Sequence, residues 1–271
     1  MHVLISVDIE GVAGVFHPDQ TRPGNPEYER ARLLMAEEAN AAIAGAFDAG
    51  ATAVTVNDSH GPFRNMPPER LDPRARVVQG KPRLLGMMAG VDTGIDAVVL
   101  IGYHSRAKGR GVLAHTINGA AFAGIRLNGI ELGEAGLYAS LAGDYGVPVV
   151  AASGDDVFVA ENRPLFPDAR FIETKQALGA HAGISLSPEA ARAAIRAGVA
   201  AALAGPRPAP FRLAGPVTVL LRTQTPALAD LFCVLPGTTR LAGDDLTFVT
   251  ATATAAVRTL NAMSAMAASL R

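Results

Sequence analysis

Cysteine is nearly absent from this sequence. Cys233 stands alone in the apolar run Leu231-Phe232-Cys233-Val234-Leu235, so no internal disulfide can form, and the thiol reads as a small core side chain rather than a nucleophile. Lysine is also scarce, three against 21 arginines. With alanine abundant, that balance reads as GC-rich codon use, so scattered arginines are not taken as a polyanion footprint. No apolar run approaches the roughly 18 residues that a membrane span needs. A formal net charge of −1 offers no bulk attraction to nucleic acid or to an anionic membrane. The opening residues, Met1 to Asp8, carry no basic stretch ahead of their apolar run; no signal peptide is expected, and a cytoplasmic, reducing compartment is. Two nucleotide signatures are missing as well. Gly11-Val12-Ala13-Gly14 lacks the dinucleotide spacing, and in Gly80-Lys81-Pro82 a proline replaces the hydroxyl that a P-loop needs for Mg²⁺.

What is present is a globular composition, 49% hydrophobic and 18% charged, over 271 residues. Short β-branched apolar runs at 3–7, 53–56, 97–101, 147–152 and 171–174 predict strands. Helical patterns lie between them. At 27–49, Met35, Ala39, Ile43 and Phe47 share one face and Gly50 stops the run; at 188–204, Ser187 caps, Pro188 opens and Gly205 ends it. This alternation predicts an α/β fold, a mostly parallel sheet sandwiched by helices. Pro206-Arg207-Pro208-Ala209-Pro210 is a stiff, helix-breaking segment. It marks an expected boundary between a domain at 1–205 and a smaller C-terminal α+β domain at 206–271. The latter should hold strands at 217–222 and 246–253, a helical piece at 226–235 and a final helix at 254–270.

Three apolar runs end in polar residues able to bind metal: Val7-Asp8-Ile9-Glu10, Val56-Asn57-Asp58-Ser59-His60 and Gly102-Tyr103-His104. Asp8 and Glu10 point the same way along a strand, about 7 Å apart, and repel unless a cation or proton intervenes. In a parallel sheet the C-terminal strand ends share one edge, where open α/β folds bind ligands. Each feature alone has a bland explanation as a surface pair, a helix cap or a loop histidine. Their coincidence on one edge points to a metal site of carboxylates and imidazoles, suited to Zn²⁺, Mn²⁺ or Co²⁺. Spacing does not choose between Glu131 and Glu134, which precede an apolar helix and would both suit its dipole. His115 is a core or loop histidine or a general base. The basic loop Arg106-Ala107-Lys108-Gly109-Arg110-Gly111 is a solvated loop or a carboxylate binder, and Gly154-Asp155-Asp156 faces the same edge or caps the next helix.

Taken together, Ser6-x-Asp8-x-Glu10-Gly11, Asn57-Asp58-Ser59-His60, Gly102-Tyr103-His104, Val112-x-x-His115, Gly133-Glu134-x-Gly136 and Leu235-Pro236-Gly237-Thr238 resemble the DppA-type D-aminopeptidases, the M55 family of zinc peptidases. The resemblance spans nearly the whole chain. It implies two zinc ions per chain, one held by Asp8, Glu10 and His60 and the other by Asp8, His104 and Glu134, with Asp8 bridging. It places the catalytic histidine at His115. The loop Gly61-Pro62-Phe63-Arg64 is where this chain differs most and would line the approach. The implied activity is release of N-terminal D-amino acids such as D-Ala from short peptides or amides, by a homodecamer. Two rivals stand beside it: a dinuclear amidase or phosphoesterase on another substrate, and a non-catalytic peptide-binding protein linked to dipeptide uptake.

Overall fold

The computed structural model describes residues 1–270. In chain order the elements are β1 (His2–Val7), α1 (Pro26–Asp48), β2 (Ala53–Asp58), β3 (Arg76–Val78), β4 (Ala97–Ile101), β5 (Phe122–Leu127) and β6 (Ile130–Glu131). Next come α2 (Glu134–Asp144), β7 (Val149–Asp155), α3 (Asp156–Asn162), β8 (Arg170–Gly179), β9 (Ala182–Ser185) and α4 (Pro188–Ala204). The chain closes with β10 (Val217–Thr223), α5 (Pro226–Phe232), β11 (Thr239–Ala242), β12 (Asp245–Thr250) and α6 (Ala253–Met266). Among the described residues, no helix is long and apolar enough to cross a membrane.

Seven strands form one sheet in the order β3-β2-β1-β4-β7-β8-β9, parallel throughout except for the β8–β9 hairpin. Its central strands are covered on both faces. Val3, Ile5 and Val7 join Met35, Ala39 and Ile43 of α1 and Ile195 and Val199 of α4 in one apolar cluster. Leu4, Val98 and Leu100 face the other way, into a cluster with Leu137 and Leu141 of α2 and Leu260 of α6. The expected caps are in place: Asn25 accepts the Tyr28 N–H ahead of α1, and Ser187 accepts that of Ala190 ahead of α4.

A second, antiparallel sheet runs β11-β12-β10-β5-β6. Three of its strands come after the proline-rich segment, but β5 and β6 precede it, so residues 206–271 do not hold the whole of that sheet. Val217, Val219 and Leu221 of β10 share a single core with Leu4 and Leu100 of the parallel sheet. The two sheets therefore fold around common apolar contents, with α2 and α6 packed between them.

Candidate functional site

The C-terminal ends of β1, β2 and β4 lie side by side, paired in register as Val7↔Asp58 and Val7↔Ile101. Asp8 and Glu10 leave β1 there, His60 comes two residues after β2 and His104 three residues after β4. The chain can turn this tightly only because of two glycines. A Cβ on Gly11 would sit 1.9 Å from the Tyr103 carbonyl oxygen, and Gly102 has φ +68° with no room beside the Asp8 carbonyl. Glu134 opens α2 and points back to the same place. His115 comes from a loop between Leu113 (φ 54°) and Ile117 (φ 59°), both in the left-handed region that costs a branched side chain energy.

All six side chains meet. His60 Nδ1 lies 3.2 Å from Asp8 Oδ1 and 3.0 Å from Glu10 Oε2. His104 Nε2 lies 3.4 Å from both Asp8 Oδ2 and Glu134 Oε1, and His115 Nε2 lies 3.6 Å from Glu134 Oε1. The His104 and His115 rings stack at 4.1 Å. Asp8, Glu10, His104 and Glu134 are buried, whereas the His115 side chain keeps 26% of its surface exposed. Asp58 does not join them; it is spent on the amides of Asn65 and Met66. Glu131 turns away toward Arg106 and Arg126, which separates it from Glu134. Asp155 caps α3 through the Phe158 N–H and also accepts the Val112 N–H, tethering the stretch that leads to His115.

The tautomers are set by the outer partners. A carbonyl oxygen can only accept, so His60 donates Nε2–H to Thr21 (2.8 Å), His104 donates Nδ1–H to Ser105 (2.9 Å) and His115 donates Nδ1–H to Leu113 (2.9 Å). In neutral rings the remaining nitrogen is then a bare lone pair, and in all three it faces a carboxylate. Lone pair against carboxylate is repulsive unless a cation or proton lies between. Glu10 Oε2 and His104 Nε2 are buried with no aligned hydrogen-bond partner among the described residues. Burial alone would lower the His60 and His104 pKa values, but the facing Glu10 and Asp8, and Glu134 and Asp8, hold both well above the usual imidazole range. Burial, with Glu10 and Glu134 adding to it, pushes Asp8 up. Burial acts the same way on Glu10 and Glu134, yet His60 and His104 respectively pull them below the usual carboxylate range. The cluster demands positive charge, and protons and metal ions compete to supply it. Ligand atoms of Asp8, Glu10 and His104, and likewise of His104, His115 and Glu134, lie within 4.8 Å of one another, so the donor set fits a metal.

The D-aminopeptidase family of M55 peptidases matches residues 1–262. The chain belongs to that family. A D-aminopeptidase of Bacillus subtilis (strain 168) is 39% identical over 193 residues, 69% of this chain and 68% of the relative. Among solved structures, the zinc-dependent D-aminopeptidase DppA from Bacillus subtilis, described as a self-compartmentalizing protease, superposes with a TM-score of 0.95 at 31% identity over 99% of this chain and 98% of that one.

Two supports of this M55 site escaped the sequence reading. Ser6 Oγ lies 2.6 Å from Ser59 Oγ and 2.7 Å from the Tyr103 hydroxyl, and donates to the Met87 carbonyl. This buried knot ties together the three strand ends that carry Asp8, His60 and His104. The second is Lys175, whose ammonium lies buried behind Glu10 and which burial pushes down to about 8. Its only signal in the sequence is rarity, one of three lysines set in a strand.

Proposed function

We propose that this chain is a zinc-dependent aminopeptidase that removes N-terminal D-amino acids, such as D-Ala, from short peptides or amides at a dinuclear centre. One observation carries the reading: Asp8 presents Oδ1 to His60 and Oδ2 to His104, each imidazole anchored through its other nitrogen on a backbone carbonyl. On this reading Asp8, Glu10 and His60 would hold one metal and Asp8, His104 and Glu134 the other, with Asp8 shared between them. Bound zinc supplies Lewis acidity, polarising the scissile carbonyl and easing deprotonation of water. His115 is the most open of the three histidines. Its Nε2 would take a proton from the attacking group or return one to the leaving amine, with the Leu113 carbonyl holding its tautomer.

Large apolar side chains stand exposed at Leu178 and Ile184 on the β8–β9 hairpin and at Val234, Leu241 and Val249 beyond it. Together with the self-compartmentalizing relative, this supports a homo-oligomer; the homodecamer is the proposed state, and light scattering would measure it.

The test of function is release of free amino acid from D-Ala-D-Ala and a panel of D- and L-aminoacyl amides, before and after chelation. Zinc-restored turnover confined to D-aminoacyl substrates is expected. Turnover by protein shown to be metal-free, or metal retention with no turnover of any peptide, would sink the proposal.

A further inference from the structure

Behind Glu10 lies a buried cation that hydrogen-bonds to backbone carbonyls and to none of the candidate metal ligands' side chains. Lys175 is 2% exposed. Its Nζ donates to the carbonyl oxygens of Glu10 (2.6 Å) and Val15 (2.7 Å) and sits 5.2 Å from the centre of the Phe16 ring. Burying an ammonium is costly unless it is paired and hydrogen-bonded, and placing it behind a site for dications adds repulsion. Asp155, Glu38 and Glu10 offset part of that cost, and the two short hydrogen bonds hold the backbone that carries Glu10. The neighbouring Thr174 donates Oγ1 to the carbonyls of Gly11 (3.0 Å) and Gly154 (3.1 Å). Among the described residues, Lys175 and Thr174 are the sole hydrogen-bond donors to the carbonyls of Glu10, Gly11 and Val15. Glu38 of α1 accepts the Ala13 N–H, and Ser185, paired with Lys175 across the β8–β9 hairpin, accepts that of Gly14. The segment 10–15 has no strand partner, so these side chains stand in for a sheet ladder.

We propose that Lys175, assisted by Thr174, is the positioning residue that fixes Glu10 against His60 and thereby sets the affinity of the metal position formed by Asp8, Glu10 and His60. The claim rests on the two-position reading above, and its test separates the two. Zinc affinity is measured by competition with a chromophoric chelator on the full-length protein, Lys175→Met, Glu10→Gln and the double variant, with the visible spectrum of the Co²⁺-loaded forms as a second readout. Lys175→Met should weaken one metal about 10–100-fold, the range for outer supports of a metal ligand, and leave the other unchanged. Because the effect runs through Glu10, adding Lys175→Met to Glu10→Gln should cost little more, and both single variants should perturb the same Co²⁺ bands.

Wild-type affinity in Lys175→Met overturns the proposal, as does equal weakening of both metals or full additivity in the double variant. If circular dichroism shows Lys175→Met unfolded, Thr174→Val decides. It removes a single hydroxyl and should weaken the same metal roughly fivefold, about one hydrogen bond's worth, and unchanged affinity there overturns the proposal. A wild-type protein that binds a single zinc refutes the two-position reading alone; non-additivity of Lys175→Met with Glu10→Gln on that one ion still decides the role of Lys175.

Discussion

In the seven-stranded sheet both faces of β1 and β4 are buried, and the polar side chains gather beyond the strand ends. In the five-stranded sheet β10 alternates, with Val217, Val219 and Leu221 inward and Thr218 and Arg222 in solvent. The charges of the second sheet answer each other across strands at the surface. Arg222 makes a double hydrogen bond to Asp245, and Arg126 faces Glu131 at 3.6 Å. Those of the first are buried and leave Glu10 Oε2 and His104 Nε2 without an aligned hydrogen-bond partner among the described residues. The exposed set is paired charge against charge, whereas the buried set turns bare imidazole nitrogens and carboxylate oxygens toward one another. Buried polar atoms without an aligned partner are costly, and two of them here belong to carboxylate and imidazole groups that face one another at one sheet edge, which marks where stability has yielded to chemistry. The two regions should therefore fail differently when mutated.

The largest effect is expected at Asp8. Asn keeps the shape but removes the negative charge and one oxygen donor, so Asp8→Asn should lose at least one metal per chain. Turnover should fall by more than the roughly 100-fold typical of an outer support, while the fold is retained. Folded Asp8→Asn with both metals and near-normal turnover would refute the bridge. His115→Ala comes next, with turnover reduced about 10²–10⁴-fold and both metals retained, since His115 is assigned to proton transfer. If elemental analysis finds a metal missing, His115 is a ligand through the Nε2 that faces Glu134.

The second sheet should answer through stability instead. Phe232 is fully buried under β10, its ring centre 6.0 Å from that of Phe122. Phe232→Ala should cost about 3–5 kcal/mol in denaturant unfolding, with zinc affinity unchanged. A variant that instead loses metal would show that the shared core transmits damage to the site and that the two regions are not separable.

Much of the first region was legible because its signals are local. β1, β2 and β4 are continuous apolar runs, and polar residues stand directly after each run, so strand ends and candidate ligands are read together. The choice of Glu134 over Glu131 was not legible from spacing, because it depends on Arg106 and Arg126 drawing Glu131 outward. Nor was the composition of the second sheet. β5 pairs with β10, whose residues lie about a hundred positions later, and the turn signals around 122–131 say nothing of a partner that distant. β3, β6, β9 and β11 are short edge strands whose patterns are too brief to show a period. Lys175 was hidden for a different reason: a lysine within a strand is normally a solvated edge charge, and its burial depends on carbonyl-rich turns from elsewhere in the chain.

The smallest effect sharpens the comparison through pH. Asp245 of the second sheet is held below the usual carboxylate range by its hydrogen bonds to Arg222, so what it contributes is present at neutral pH and lost on acidification. Glu38, behind the Glu10 segment, has the opposite sign. Burial pushes it from 4.5 up to about 7, against the Ala13 N–H and the nearby Lys175, which pull it down. Its Oε2 has no hydrogen-bond partner among the described residues, so no donor offsets the cost of burying a charge there. A folded-state value above the unfolded one means that the contribution is fully present below about 4.5 and is lost as the pH rises through about 7. The whole swing is at most about 3 kcal/mol for a shift of that size. Glu38→Gln keeps an acceptor for Ala13 and cannot ionise. Relative to this variant, the wild-type protein should lose stability between pH 5 and pH 8, measured by urea unfolding at each pH. The titration of the metal cluster is common to both proteins and cancels in the difference. An equal difference in stability at the two pH values would mean that Glu38 is already ionised at pH 5, and that the segment carrying Glu10 is gripped by a carboxylate and an ammonium rather than by a neutral acid and an ammonium.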